Sequence, residues 1–271
     1  MAENFVLIIK YLLLGLLQGI TEPIPISSSG HLVLAEALFG LEIEGLSFEV
    51  FVNFASLIAV LIVFWDDITR IARNTFHYIA TRDSEAKSEF LFTMFVIIGT
   101  IPAAVLGILF EDMIESILKG VKIVGVTLLI TGVALWIIRR LEGYKGEKAM
   151  TAKDALIIGL AQAVALIPGV SRSGATIVGA MALGLDRDTA LRYSFLLYIP
   201  VSLGGMVLKG PDIISDPLIG MLAIPYLVAF IASLIASYFA LRWFINIMRS
   251  GKLGYFSIYC WMVGLFVILF L

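Results

Sequence analysis

The chain has 271 residues, of which 60% are hydrophobic and 15% are charged, and its formal net charge at pH 7 is −2. Soluble domains carry about a quarter charged residues, so this composition excludes most soluble classes, and the weak net charge provides no field for nucleic acid. The apolar residues form long blocks, not the short alternating segments of a membrane barrel. The single cysteine, Cys260, allows no disulfide framework and no cysteine-based metal site. The sequence therefore predicts an all-α integral membrane protein.

Six apolar blocks approach or exceed the length that a membrane-spanning helix needs. A helix that rises 1.5 Å per residue crosses about 30 Å of hydrocarbon with about 20 residues. The blocks cover residues 48–65, 90–110, 121–138, 193–208, 218–241 and 254–271. The longest polar stretch, about 66–89, is interpreted as a loop or an interfacial helix. We expect about six transmembrane helices in a single membrane domain, 1–271.

Two further apolar regions, about 5–39 and 155–185, are each interrupted by a polar turn. The first turn runs from Glu22 to His31 and the second from Pro168 to Gly174. Proline is expected to end each incoming helix, and serine to cap each outgoing helix. Each half is then expected to be too short to cross the bilayer. Both regions are therefore predicted to be re-entrant helical hairpins.

The two interrupted regions also form an internal repeat. A shift of 144 residues aligns the two turns and pairs identical residues at six positions: Gly15 with Gly159, Leu16 with Leu160, Gln18 with Gln162, Ser27 with Ser171, Ser29 with Ser173, and Gly30 with Gly174. Identities that cluster around matching helix breaks favour a duplication. The two halves are placed at about 5–138 and 155–271.

The lysine and arginine residues of the short loops predict the orientation in the membrane. Three loops are rich in them, at 66–89, 139–153 and 242–253, whereas the intervening loops carry only Lys119, Lys122 and Lys209. If the basic loops are cytoplasmic and each hairpin returns to its starting side, every loop lies on the side that its lysine and arginine content predicts. Both termini then lie outside, Arg187 and Arg192 lie inside, and the hairpins enter from opposite sides. This is an inverted-topology repeat whose two tips meet near the midplane.

Polar side chains at the two turns mark a candidate site, because polar groups at membrane depth are costly and are usually functional. Helix N-termini at both turns would bind an anion, and a guanidinium adds a planar donor suited to phosphate oxygens. An acid, a histidine and hydroxyls beside that anion indicate hydrolysis. The side chains concerned are Gln18, Glu22, Ser27, Ser28, Ser29 and His31 in the first turn, and Ser171, Arg172, Ser173 and Thr176 in the second.

Structural interpretations of the same residues stay open. Serine and glycine in membrane helices permit close packing, and a buried histidine is often a satisfied core residue. Glu22 and Arg172 can also form a purely structural ion pair.

At these turns the chain resembles the bacitracin-resistance family of undecaprenyl-diphosphate phosphatases. The resemblance is carried by Gln18-Gly-Ile-Thr-Glu22, Ser27-Ser28-Ser29-Gly30-His31 and Pro168-Gly169-Val170-Ser171-Arg172-Ser173-Gly174-Ala175-Thr176. The segments Phe48-Glu49-Val50, Phe64-Trp65 and Ile101-Pro102-Ala103 extend it to nearly the whole chain. Gln18 stands at the first acidic position of the family motif, which leaves Glu22 as the sure acid.

The resemblance implies a phosphatase of the plasma membrane that removes the terminal phosphate of a polyprenyl diphosphate. The product would be the monophosphate lipid carrier for cell-envelope glycan synthesis. The resemblance also implies a divalent cation, typically Mg²⁺, with Glu22 and Gln18 as its ligands, and an active site that opens to the outer face. The expected partners are the lipid substrate and the bilayer, and a homodimer is one candidate assembly.

Two mechanisms and a second class of function stay open. In the preferred mechanism Ser28 is the nucleophile, His31 is its base, and Glu22 orients His31 or holds Mg²⁺. The phosphoryl group would be held by Ser27, Ser171, Arg172, Ser173 and Thr176. In the rival mechanism His31 is itself the nucleophile, through a phosphohistidine. Because broken helices in inverted repeats are also typical of secondary transporters, the alternative function is a polyprenyl-phosphate flippase or another anion transporter.

Overall fold

The computed structural model describes residues 2–41, 47–110, 113, 120–215 and 219–271, so the predicted loop residue Lys119 lies outside the described residues. Within these ranges the chain forms eleven α-helices and two 3₁₀ turns, Ser84–Ala86 and Glu147–Ala149. The helices are α1 (Ala2–Thr21), α2 (Ser28–Phe39), α3 (Ser47–Val63), α4 (Trp65–Thr81), α5 (Lys87–Leu109), α6 (Val121–Ile138), α7 (Ala152–Val164), α8 (Arg172–Ala182), α9 (Arg187–Ser215), α10 (Ile219–Arg249) and α11 (Gly254–Phe270).

The apolar blocks predicted as spans are helical wherever the structure describes them. By length and composition, α1, α5, α6, α9 and α10 can each cross a membrane. The helix α3 passes this test together with α4, from which it is bent by 75° at Phe64. The apolar helix α11 has 17 residues, or about 25 Å at 1.5 Å per residue. The protein is therefore a multi-pass helical membrane protein.

Of the two alternatives for residues 66–89, the structure has a helix over most of the segment. The helix α4 begins with Asp66 and Asp67 in its first turn, where carboxylates complement the helix dipole. Only Ile71 and Thr75 of α4 are buried. The exposed side chains of α4 include the apolar Phe76 and Ile79 as well as charged residues such as Arg73. An amphipathic helix of this kind is typical of the interface between membrane and water.

Both interrupted regions break at the polar turns, but one expectation about their length is wrong. The helix α1 has 20 residues and is among the candidate spans, because it begins at Ala2, ahead of the predicted start at about residue 5, and runs to Thr21. The other halves are short, with 12 residues in α2, 13 in α7 and 11 in α8. Of the four halves of the interrupted regions, as far as the structure describes them, α2, α7 and α8 are too short to cross the bilayer.

Two glycines that the repeat pairs allow two helix pairs to touch through their backbones. The helix α1 packs against α10, and α7 packs against α5. A Cβ atom on Gly15 would overlap the carbonyl oxygen of Ala229, and a Cβ atom on Gly159 would overlap that of Gly99. Small residues at such crossings are the usual means of close helix packing in membranes.

Ion pairs gather the basic loops at one end of the molecule. Arg192, near the start of α9, lies 3.0 Å from Asp67 of α4 and pairs with Glu147 of the 139–153 loop. Burial raises the pKa of the Glu147 carboxyl above its usual range, and the Arg192 guanidinium opposes that shift. At the same end, Arg249 bonds Asp188 at 2.7 Å. The three basic loops and residues 187–192 therefore share one end, as the charge pattern requires.

The tight crossing of α7 and α5 yields a stability prediction. Gly159→Ala places a methyl group against the Gly99 carbonyl, and such overpacking costs about 1–3 kcal/mol of unfolding free energy. The matched control is Gly204→Ala in α9, where nothing lies within 4 Å of the added Cβ and helix propensity favours alanine by about 1 kcal/mol. In detergent, thermal unfolding should fall for Gly159→Ala and hold or rise for Gly204→Ala. Equal melting temperatures for the two variants would contradict the backbone contact.

Candidate active site

The two polar turns meet, and glycines make that contact possible. We call residues 18–31 the first tip and residues 168–176 the second tip. A Cβ atom on Gly30 would lie 3.0 Å from the Cα of Gly169, and a Cβ atom on Gly174 would lie 3.4 Å from the Cβ of Pro25. The polar side chains of both tips are consequently brought to one place, as the sequence predicts.

Matching serines cap the two helices that leave the tips. Ser27 Oγ accepts the Gly30 N–H at 3.3 Å, and Ser171 Oγ accepts the Gly174 N–H at 3.1 Å. The predicted serine caps are confirmed. Ser27 adopts φ = +69°, a left-handed conformation that is strained for a residue with a Cβ. The remaining free N–H groups at the starts of α2 and α8 give both tips a positive electrostatic potential.

The Glu22 carboxylate joins the tips. One of its oxygens, Oε1, forms an ion pair with Arg172 Nη2. The other, Oε2, accepts the Ser28 hydroxyl and the Gln18 amide, the latter at 3.0 Å. Glu22 is only 7% exposed, so the bonds of both oxygens compensate the loss of hydration. The ion pair that the sequence left open as a structural alternative is therefore present.

The Arg172 side chain retains an uncommitted donor. Its Nη2 is held by Glu22, but its Nη1 is buried and has no hydrogen-bond partner within the described residues. The guanidinium carbon lies 3.7 Å from the centre of the Tyr198 ring. An arginine held in this way can present a planar donor to an oxyanion.

The histidine of the first tip has partners other than those expected from the sequence. His31 Nδ1 lies 2.7 Å from the Ser27 carbonyl oxygen, and His31 Nε2 lies 2.8 Å from the Tyr259 hydroxyl. A carbonyl oxygen only accepts, so Nδ1 carries the proton and Nε2 accepts from Tyr259. The Ser28 hydroxyl donates to Glu22 Oε2, whereas both ring nitrogens of His31 are bonded to other groups. The sequence-based expectations that His31 is the base of Ser28 and that Glu22 orients His31 are therefore not matched by these contacts. The group bonded to Ser28 is Glu22.

The other hydroxyls predicted to bind phosphate lie deep in the protein. Ser173 donates to the Ile24 carbonyl at 3.4 Å, and Thr176 donates to the Arg172 carbonyl at 3.0 Å. These hydroxyls support the helix caps and the contact between the tips, whereas Ser28 and Ser29 are only half-buried. The buried set, each residue at most 3% exposed, is Ser27, Ser171, Ser173 and Thr176.

Two threonines of α6 that sequence reasoning missed hold the second tip. Thr127 donates to the Pro168 carbonyl at 2.9 Å. Thr131 lies 3.3 Å from the Gly169 carbonyl oxygen and 3.4 Å from the Ser171 nitrogen. The spacing of four residues in an otherwise apolar helix was the one available signal, because it places both hydroxyls on one face.

The donor set fits a cation that arrives with a phosphate. In the described part of the chain, no group of three or more His, Cys, Asp or Glu side chains could form a metal cage. Gln18 Oε1, beside the Glu22 carboxylate, is nevertheless buried and has no hydrogen-bond partner among the residues that the structure describes. Mg²⁺ is commonly held by one or two carboxylates together with substrate phosphates, and amide oxygens are also hard ligands. Glu22 and Gln18 suit that mode of binding.

Comparison with known proteins places the chain in a family. The family model described as bacitracin resistance protein BacA matches residues 11–266. "Undecaprenyl-diphosphatase 2" of Bacillus thuringiensis (strain Al Hakam) is 60% identical over 269 residues, which cover 99% of this chain and 100% of the relative. "Undecaprenyl-diphosphatase 1" of Bacillus licheniformis is 59% identical over 98% of this chain and 99% of its own length. "Undecaprenyl-diphosphatase" of Oceanobacillus iheyensis is 56% identical over 99% of this chain and 98% of its own length. The chain belongs to the bacitracin resistance protein BacA family.

Proposed function

We propose that this protein hydrolyses undecaprenyl diphosphate to the monophosphate lipid carrier and inorganic phosphate, for use in cell-envelope glycan synthesis. The observation that carries the proposal is the meeting of Glu22, Ser28 and Arg172 at the contact of the two tips. The relatives that are 55–60% identical over nearly the full chain are all called undecaprenyl-diphosphatases, which supports the same activity here.

The chemistry of this substrate suits the site. A polyprenyl diphosphate carries a doubly phosphorylated head on a long apolar tail, so the head must reach a polar site while the tail stays in lipid. Donors for the anionic head would come from the first-turn N–H groups of α2 and α8 and from Arg172 Nη1, which has no hydrogen-bond partner within the described ranges. Because the site lies among membrane helices, the tail would stay in hydrocarbon during binding.

The proposed nucleophile is Ser28. Its Oγ attacks the terminal phosphorus, the bond from that phosphorus to the bridging oxygen breaks, and undecaprenyl monophosphate leaves. The hydroxyl proton passes to Glu22 Oε2, with which Ser28 is already hydrogen-bonded, and then to the leaving group. Water next replaces Oγ on phosphorus, and its proton restores Ser28 through Glu22. Arg172 Nη1 stabilises the charge that develops on the phosphoryl oxygens.

We further propose that Glu22 and Gln18 hold a divalent cation, Mg²⁺. Glu22 would supply a carboxylate, and Gln18 would supply its buried Oε1, which no residue in the described part of the chain binds. When bound, the cation would neutralise part of the charge on the diphosphate oxygens.

Release of phosphate in detergent tests the function directly, because transport needs two compartments and hydrolysis does not. The wild-type protein should release inorganic phosphate from undecaprenyl diphosphate. Arg172→Lys should keep some substrate binding and lose at least tenfold in turnover, about 1.4 kcal/mol, because an ammonium lacks the planar pair of donors. Arg172→Ala should lose more.

The matched control for Arg172→Lys is Arg73→Lys on the exposed face of α4, which should keep full activity. A wild-type protein that releases no phosphate, or a fully active Arg172→Ala, would overturn the proposal. The first result would favour the flippase or anion-transporter alternative.

The nucleophile can be identified from the residue that carries covalently bound phosphate during turnover. Ser28→Ala should abolish turnover, and wild-type protein quenched during turnover should carry acid-stable phosphate on Ser28. The rival mechanism predicts acid-labile phosphate on His31, whose Nε2 would first have to exchange its bond with Tyr259. Mass spectrometry of the quenched protein distinguishes the two, and label on His31 would make Ser28 a phosphate ligand.

An inverted-topology repeat is part of the proposal, with half one at about 5–138 and half two at about 155–271. The shift of 144 residues carries α1 onto α7, α3 onto part of α9, and α5 onto part of α10. Each half packs against the other in the same way: α1 and α3 of the first half contact α10 of the second, and their equivalents α7 and α9 contact α5, the equivalent of α10. A two-fold axis in the membrane plane would produce this arrangement. In the plasma membrane, the basic loops would be cytoplasmic, both termini outside, and the site open to the outer face.

Labelling of single cysteines tests this orientation in intact cells. In a Cys260→Ser background, Lys148→Cys in the 139–153 loop should react with an impermeant maleimide only after the membrane is permeabilised. Leu271→Cys at the C-terminus should react without permeabilisation. The opposite pattern would invert the orientation, and labelling of both positions from outside would contradict the charge argument.

A further inference from the structure

Arg172 is fixed on one face by an aromatic ring that the mechanism above does not use. The guanidinium carbon lies 3.7 Å from the centre of the Tyr198 ring, within the range of a cation–π contact. Tyr198 is only 1% exposed, so water does not weaken this contact from the tyrosine side. Such stacking favours arginine over lysine, because the guanidinium is planar.

The Tyr198 ring is itself held in place by a contact between its own helix, α9, and the neighbouring helix α3. Tyr198 donates its hydroxyl to the Asn53 carbonyl of α3 at 2.8 Å. One turn further along α9, Ser202 donates to the Asn53 side-chain oxygen at 2.7 Å. The contact between α3 and α9 thus fixes the plane on which Arg172 rests, independently of either tip.

Two contacts fix the Arg172 guanidinium and leave its Nη1 side available to a ligand. Glu22 binds Nη2, the Tyr198 ring covers one face, and Nη1 remains buried without a partner in the described residues. Without the ring, Arg172 would keep its ion pair but could rotate about it. The direction of Nη1 is therefore set by Tyr198.

We propose that Tyr198 is a positioning residue that aims Arg172 Nη1 at the phosphoryl group of the substrate, an inference that rests on the proposed function. Its effect is expected in turnover, because a fixed donor stabilises charge that develops only in the transition state. Binding of the diphosphate head should weaken as well, since the same donor contacts it.

The test compares two buried tyrosines of α9. Tyr193 is also fully buried and donates its hydroxyl to a carbonyl of a neighbouring helix, that of Phe95 at 2.6 Å, but its ring contacts Phe92. Tyr198→Leu should lower kcat per folded protein at least tenfold, whereas Tyr193→Leu should stay within about twofold of wild type. Tyr198→Phe keeps the ring and should retain most of the activity.

A second set of variants tests whether the effect of Tyr198 on kcat depends on Arg172. In an Arg172→Lys background the planar partner is gone, so Tyr198→Leu should cost less than about threefold in kcat; residues that act as a unit are not additive. A full tenfold loss in that background would overturn the proposal. So would equal specific activities for Tyr198→Leu and Tyr193→Leu in the folded fraction, which would show that Tyr198 is only a packing residue.

A binding measurement separates this inference from the proposed function. Inorganic diphosphate should raise the melting temperature of wild-type protein and of Tyr193→Leu, and should raise that of Tyr198→Leu much less. The same difference in melting temperature is expected even if the wild-type protein hydrolyses no lipid. Absence of hydrolysis would contradict the proposed phosphatase activity but not the positioning role of Tyr198. An unchanged diphosphate-induced shift in Tyr198→Leu would overturn the positioning role.

Discussion

A single ion pair between Glu22 and Arg172 crosses the contact of the two tips, 150 residues apart in the chain. Two charges inside a membrane protein lose their hydration, and that loss is tolerable only if both are paired and hydrogen-bonded. The remaining oxygen of Glu22 accepts Ser28 and Gln18, and the face of Arg172 is covered by Tyr198. Removal of one charge would leave the other buried and uncompensated, at a cost of about 3–5 kcal/mol.

The arrangement of the helices follows from this requirement. Helices α2, α7 and α8 are too short to span, so their ends lie where unpaired backbone groups need partners. Ser27 and Ser171 satisfy part of that need, and Thr127 and Thr131 hold the carbonyls of the second tip. Ser28 and Arg172, both bonded to Glu22, are the first residues of α2 and α8, so the N-terminal ends of the two helices meet at the ion pair. Helix N-terminal ends of this kind favour an anion.

The sequence predicted the features that depend on local pattern. Long apolar blocks predicted the spanning helices, and proline and serine predicted the breaks and caps. The identities between Gln18 and Gln162 and between Ser27 and Ser171 indicated the two segments that meet at the tips. The length of α1 differs from the prediction, because the helix begins at Ala2 and so includes polar residues that precede the apolar block. Contacts between distant segments were beyond such patterns. Tyr259 lies 228 residues from His31, and tyrosines within apolar blocks look the same whether they serve the core or the site.

A double-mutant cycle on turnover tests most directly whether the ion pair and the catalytic site are one unit. The cycle compares kcat/KM for phosphate release by wild type, Glu22→Gln, Arg172→Lys and the double variant. Because the two side chains share one interaction, the loss in the double variant should be smaller than the product of the single losses by at least tenfold, a coupling of about 1.4 kcal/mol. Losses that multiply to within about 0.5 kcal/mol would show that Glu22 and Arg172 act independently and would contradict a site built on their contact.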